Sequence, residues 1–302
     1  MKKHSTSIAE ASGGTGRAGF KDYYQLTKPG IIYGNVLTTA ASFLFASRGH
    51  IHFGLFLAIM LGSSLTIASG CVFNNYLDRG IDIEMSRTKK RALVTGLISP
   101  RSALIYATLL GLAGFSTLIA FTNGVTALVG LTGFIFYVIV YGYFKRRSVH
   151  GTVVGSVSGA VPVVAGYTAV AGHLGVGALL LFMIMATWQM PHFYGIAMYR
   201  AKEYGAAHIP VLPLVKGMRS AQRYTLVYIG LYLVACSLLT IFGYAGYSFL
   251  IVMLGLGATW LYRSLKLLNN GDYPLWGRKT FLFSLIVLLG FSVMLSVGSI
   301  LP

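Results

Sequence analysis

Apolar residues run for about 18 positions or more, with hardly a charge inside them, at nine places along the chain. These runs fall at roughly 30–47, 53–73, 102–121, 124–143, 151–171, 174–198, 224–243, 246–265 and 280–300. Their length and continuity predict membrane-spanning helices rather than barrel strands, because a backbone in lipid must satisfy its own hydrogen bonds. The expected fold is therefore an all-α integral membrane protein of about nine transmembrane helices. The opening MKKHSTS is too polar for a cleaved signal, so the first span is expected to serve as the insertion signal. Residues 1–20, rich in Ser, Gly and Ala, read as a disordered cytoplasmic tail, and residues 21–302 as one polytopic membrane domain. No tandem repeat appears. The longest polar loops follow spans 2 and 6, four spans apart, and both carry acids beside Arg and Lys. That echo hints at two related halves.

Composition agrees with the pattern. A chain of 302 residues could hold two soluble domains, but 55% hydrophobic residues, 10% charged residues and a mean hydropathy of +0.70 point to the bilayer. The 37 glycines fit close helix packing in lipid. Charge then sets the orientation. Of the 24 Lys and Arg residues, all but Arg48 lie in the N-terminal tail or in the loops after spans 2, 4, 6 and 8, together with all seven acids. The positive-inside bias places the N-terminus in the cytoplasm and the C-terminus outside, in the periplasm. A net charge of +17 gathered on one face suits anionic membrane lipid and anionic substrates. Nucleic acid is not expected as a partner, since no soluble basic module exists to bind it. Cys71 and Cys236 sit far apart in apolar runs and read as core residues.

Candidate chemistry begins where span 2 ends, in N-N-Y-L-D-R-G-I-D. Asn74, Asp78 and Asp82 stand at four-residue steps, which keep side chains on one helical face. Two carboxylates and a carboxamide pointing one way suit Mg²⁺ carrying a diphosphate, because Mg²⁺ uses one or two carboxylates plus substrate oxygens. The alternative for this stretch is a solvated loop. A second polar region comprises W-Q-M-P-H-F-Y at 188–194, R-A-K-E-Y at 200–204 and I-P-V-L-P at 209–213. Pro191 can kink its span. Gln189 and His192 lie in the cytoplasmic half of span 6, where a polar side chain must pair or face a cavity. Glu203 would face Asp78 and Asp82 if the halves close around a common cavity; otherwise it pairs with Lys202 or Arg200.

These residues carry a resemblance over roughly 22–300. L-T-K-P at 26–29, the Asn/Asp/Asp motif, M-x-R-T at 85–88, the Lys145–Arg147 cluster and G-S-V-S-G-A-V-P at 155–162 resemble the UbiA intramembrane prenyltransferase superfamily. W-Q-M-P-H-F-Y with I-P-V-L-P resembles its haem-modifying branch. The chain departs from the pattern at Gly80, where a further acid is frequent, at Ala92 and Val163, where Pro is common, and in retaining only Glu203 of the second acidic motif. The resemblance implies a helical bundle with a central cavity in the bacterial cytoplasmic membrane, its active face cytoplasmic. It implies Mg²⁺ as cofactor, and farnesyl diphosphate and haem B as substrates. A farnesyl group would pass to a vinyl group of haem B, with addition of water, to give haem O. Asp78, Asp82 and Glu203 would be catalytic, with Asp78, Asp82 and Asn74 at the metal. Asn74, Asn75, Arg87, Arg91, Lys145, Arg146, Arg200 and Lys202 would hold diphosphate or propionates, and Gln189 and His192 the acceptor, His192 stacking on or ligating the iron. Haem A synthase or the terminal-oxidase assembly machinery would be protein partners. Two other readings stay open: a sibling enzyme with a quinone or chlorin acceptor, and an ion-coupled transporter. The transporter reading expects charge near mid-membrane, whereas this chain gathers it at one face.

Overall fold

The computed structural model describes residues 17–298. Most of the expected 1–20 tail lies outside the described residues, and the first helix already begins at Phe20. Among the described residues the elements are helical: α1 (Phe20–Leu26), α2 (Pro29–Ser47), α3 (Phe53–Asp82), α4 (Pro100–Phe121), α5 (Gly124–Ile135), α6 (Tyr141–Arg147), α7 (Gly151–Ala171), α8 (Val176–Tyr199), α9 (Ala201–Ala206), α10 (Leu212–Val215), α11 (Met218–Ile241), α12 (Tyr247–Lys266) and α13 (Tyr273–Val297). A single π-helical stretch, Phe136–Val140, joins α5 to α6 into one span. Nine helices among the described residues are long and apolar enough to cross a membrane, as the hydropathy pattern predicts.

Local chemistry sets the ends. Ser99 caps α4 by accepting from the Ser102 N–H at 3.0 Å, with Pro100 in the first turn, where its missing N–H costs nothing. Asn123 and Asp272 cap α5 and α13 in the same way, each at 2.9 Å. Four spans extend well past their apolar runs, spans 4 and 7 to Arg147 and back to Met218, and spans 2 and 9 further still. Span 2 continues as helix from residue 73 to Asp82, so the polar motif is helical and not a loop. Span 9 starts at Tyr273 instead of 280, because Arg278 and Lys279 face outward while Trp276, Gly277 and Thr280 are buried on the same helix.

The helices pack as neighbours in a bundle: α2 against α7 and α13, α3 against α4, α8 against α7, α11 and α13. Lipid tails give little hydrophobic drive between helices, so polar clamps and close packing matter more. All three tryptophans are buried, and each donates its indole N–H across an interface: Trp188 to the Ser284 carbonyl, Trp260 to that of Thr280, Trp276 to that of Ser264. Cys71 and Cys236 are free and buried, as expected. The loops after spans 2 and 6 meet through Met85, Ala207 and Ile209. The two polar regions therefore share one end of the bundle.

Orientation rests on the charge bias. Reporter fusions after residues 90, 146, 215 and 272 are expected to read cytoplasmic, and fusions at 123, 173 and 245 external. A cytoplasmic reading at 173 or 245 would overturn that assignment.

Candidate active site at the basic end of the bundle

The extension of α3 builds the site. Asn74, Asn75, Asp78 and Asp82 all lie on its last turns and are 2%, 2%, 2% and 5% exposed, so the carboxylates have lost nearly all contact with water. A buried carboxylate needs cations or hydrogen bonds to stay ionised. Three separate segments bring them. Lys145 Nζ, at the end of α6, lies 2.7 Å from Asp78 Oδ2, and Arg146 lies 3.0 Å from Asp78 Oδ1 while also donating to the Leu77 carbonyl. Arg91, in the loop after α3, lies 2.6 Å from Asp82 Oδ2 and donates to Asn75 Oδ1 at 3.0 Å. Thr88 fastens that loop by donating to the Asp82 carbonyl at 2.8 Å.

Lys28 is the third source, and it was not among the expected site residues. Its ammonium donates to Asn74 Oδ1 at 2.7 Å. The backbone there sits at φ 54, ψ 67, a left-handed conformation that costs a non-glycine residue about 1–2 kcal/mol and that persists only where its surroundings enforce it. Asn75 helps by accepting from Arg91 and donating to the Leu26 carbonyl at 2.8 Å, which pins the α1–α2 turn over the site. Burial lowers the Lys28 ammonium to about 8, with Arg91 and Lys145 pushing the same way against Cys71 and Asp78. It remains a cation at neutral pH, in a position that an anion would relieve. The L-T-K-P motif at 26–29 was the available signal for it.

Tyr137 and Tyr141 also escaped the sequence reading. They stack 6.0 Å apart at 7°, and Lys145 Nζ stands 5.9 Å from the Tyr141 ring. Residues 137, 141 and 145 repeat every four positions, but the π-helical stretch between them changes the helical register and is not legible in the sequence. The column ends below at Cys71, whose Sγ is 3.8 Å from Tyr137 Oη.

The other expected residues are placed differently. Arg87 and Lys202 are exposed and form no ion pair among the described residues. Glu203 pairs with Arg200 at 3.0 Å, yet its Oε2 is buried without a hydrogen-bond partner. Among the described residues it does not group with Asp78 and Asp82 as a three-carboxylate metal site. Gln189 is buried and donates to the carbonyls of Ser156 and Met185 at 3.1 and 3.0 Å. Gly159 makes room for it, since an added Cβ would come within 1.9 Å of Gln189 Oε1. His192 bonds Ser284 of α13 at 2.7 Å, away from the carboxylates.

The UbiA prenyltransferase family profile matches residues 35–287, most of the chain. The chain belongs to this family. Curated relatives include proteins named protoheme IX farnesyltransferase from Klebsiella pneumoniae and Escherichia coli, each 50% identical over 284 residues, which is 94% of this chain and 96% of theirs. Solved UbiA-type structures share the fold. One, of digeranylgeranylglyceryl phosphate synthase, covers 93% of this chain and 98% of its own at a TM-score of 0.77 and 18% identity. Another, a UbiA homologue from Archaeoglobus fulgidus bound to DMAPP and Mg²⁺, covers 91% of this chain and 99% of its own at 0.72 and 16%. The chain is thus a multi-pass membrane prenyltransferase.

Do these residues fit the magnesium bound by that homologue? Among the described residues no three His, Cys, Asp or Glu side chains cluster as a protein-only metal cage. Asp78 and Asp82 offer two buried carboxylates one turn apart, with Asn74 a turn below. That donor set suits an ion that takes one or two carboxylates and fills its remaining positions with water and phosphate oxygens. The Asn74 Nδ2 is buried and unpartnered, a free N–H donor beside the carboxylates that suits a phosphate oxygen of the ion's anionic partner and not the ion itself. The residues fit.

Proposed function

We propose that the chain transfers a farnesyl group from farnesyl diphosphate to a vinyl group of haem B, with addition of water, to make haem O, at the cytoplasmic face of a bacterial inner membrane. The row of buried carboxylates ringed by Lys28, Arg91, Lys145 and Arg146 carries the diphosphate half of this reading. The curated relatives named for protoheme farnesylation support the acceptor.

Asp78 and Asp82, with Asn74, would hold Mg²⁺, which supplies Lewis-acid stabilisation of the leaving diphosphate. The chain's own groups do the rest. Each of the four cations already sits in hydrogen-bonding contact with a carboxylate or carboxamide, so each is held where a phosphate oxygen would arrive. Fixed positive charge of this kind needs no reorganisation as negative charge develops on the leaving group. Burial among the surrounding spans would keep bulk water from the allylic cation until the vinyl carbon attacks; one water would then add to the carbon left electron-deficient and lose a proton. The Tyr137–Tyr141 stack presents aromatic faces below the cations, a surface favourable to a cationic carbon.

Purified protein incubated with haem B, Mg²⁺ and farnesyl diphosphate is expected to release diphosphate and yield a product with the mass of haem O. Prenylation of a quinone precursor in place of haem would establish the sibling reading, and absence of diphosphate release would revive the transporter.

Lys28→Met is expected to raise the KM for farnesyl diphosphate about tenfold or more, since a hydrogen bond from a charged group contributes about 1.5–3 kcal/mol. Initial rates over a range of farnesyl diphosphate concentrations check it. An unchanged KM would reduce Lys28 to a brace for Asn74.

A further inference from the structure

The seam between α8 and α13 carries a second constellation that the diphosphate chemistry does not use. The two backbones touch there: a Cβ added to Gly195 would lie 2.9 Å from the Gly277 carbonyl oxygen, and one added to Gly277 would lie 2.6 Å from that of Gly195. Beside this contact Ser284 is fully buried. Its carbonyl accepts the Trp188 indole N–H at 3.0 Å, its Oγ lies 2.6 Å from the Phe281 carbonyl oxygen, and the same Oγ lies 2.7 Å from His192 Nδ1. A carbonyl oxygen cannot donate, so the single hydroxyl proton goes to Phe281 and Oγ accepts from His192. His192 therefore carries its proton on Nδ1, and Nε2 presents a bare lone pair.

The ring is also held in orientation. Trp188 stacks on it at 4.9 Å and 29°, and Phe281 meets it edgewise at 5.0 Å. Nε2 has no hydrogen-bond partner among the described residues, and His192 keeps partial exposure. An imidazole with one nitrogen donating to a fixed oxygen and the other unprotonated is prepared for a metal.

Tyr199 follows His192 by seven residues, two helical turns, and so shares its face about 10 Å further along α8. The guanidinium carbons of Arg200 and Arg278 lie 5.4 and 5.9 Å from the Tyr199 ring. Arg200 pairs with Glu203, whereas Arg278 forms no ion pair among the described residues. A bare imidazole nitrogen and two guanidiniums thus lie along one seam, the guanidiniums beside a ring about two helical turns further along α8.

We infer that His192 Nε2 is the axial ligand of the acceptor's haem iron, that Ser284 positions it by fixing the tautomer, and that Arg278, with Arg200, receives the propionates. The inference rests on haem being the acceptor. Two demands of a bound porphyrin, an axial base and paired cations, are met on one seam.

The test titrates the full-length purified protein with ferric haem B and follows the Soret band, with farnesyl diphosphate binding measured on the same samples as a check of folding. Wild type is expected to give the Soret position of histidine-ligated haem. His192→Gly should lose that position and bind haem roughly tenfold or more weakly, and added imidazole should restore the band. Ser284→Ala should keep the band and weaken affinity by about tenfold, the usual scale for a partner of a metal ligand. Arg278→Gln should weaken haem B binding and leave binding of its dimethyl ester unchanged. An unchanged spectrum and affinity in His192→Gly, with wild type still making farnesylated haem, overturns the ligation and leaves the acceptor standing. Wild-type protein that binds farnesyl diphosphate yet neither binds nor modifies haem overturns both.

Discussion

Asp78→Asn is expected to lower turnover by about two to three orders of magnitude, the equivalent of ~3–4 kcal/mol of transition-state stabilisation. Asp78 stands at the centre of the site, with one carboxylate oxygen on Lys145 and the other on Arg146. The amide keeps the shape and one acceptor oxygen but loses the charge that would hold a divalent ion. It also leaves two cations without their anion, so they repel each other and the arriving ion. Asp82→Asn should fall in the same range, releasing Arg91 alone. Initial rates of diphosphate release, with size-exclusion profiles showing intact protein, give the measurement. A rate within a few-fold of wild type in Asp78→Asn would take this carboxylate out of the mechanism.

The sequence displays the anionic half of this site more plainly than the cationic half. Asn74, Asp78 and Asp82 are separated by single helical turns, so local periodicity alone puts them on one face, and the structure keeps them there on α3. Which cations meet them depends on tertiary packing. Arg87 and Arg91 are four residues apart in one loop, yet only Arg91 reaches the carboxylates, because Thr88 and Asn75 fix that loop in place. Lys28 looked like one more positive charge at a membrane face; its role rests on a left-handed turn before Pro29 and on a contact 46 residues away. The helical extents were legible to within a turn or two. They failed where charged residues lie on an outward face of a continuing helix, as at Arg278 and Lys279, since hydropathy averages over faces that the helix separates. His192 was legible as an expensive polar group. Its partner, Ser284, was not, because nothing along the chain marks one serine of span 9 above another.

Arg91→Gln is expected to destabilise the fold as well as the reaction, and a second substitution separates the two effects. Arg91 reaches Asp82 and Asn75 together, and the Asp82 side chain is 6% exposed while that of Arg91 is 24% exposed. Removing one partner of a buried ion pair typically costs about 3–5 kcal/mol, because the remaining charge has neither water nor partner. The access of Arg91 to solvent puts the expectation at the lower end. A carboxylate left alone can recover by drawing the loop inward, which disturbs the magnesium position that Asp82 would serve. In the double variant Arg91→Gln, Asp82→Asn no charge is stranded, and burying a neutral amide costs far less than burying an unpaired carboxylate. Thermal unfolding in detergent should therefore show a clear drop for Arg91→Gln and recovery of most of it in the double variant. Turnover should be low in both, since neither retains the carboxylate and cation together. Equal unfolding temperatures for wild type and Arg91→Gln would show that the pair contributes nothing to stability, and recovered turnover in the double variant would show that the reaction does not need Asp82.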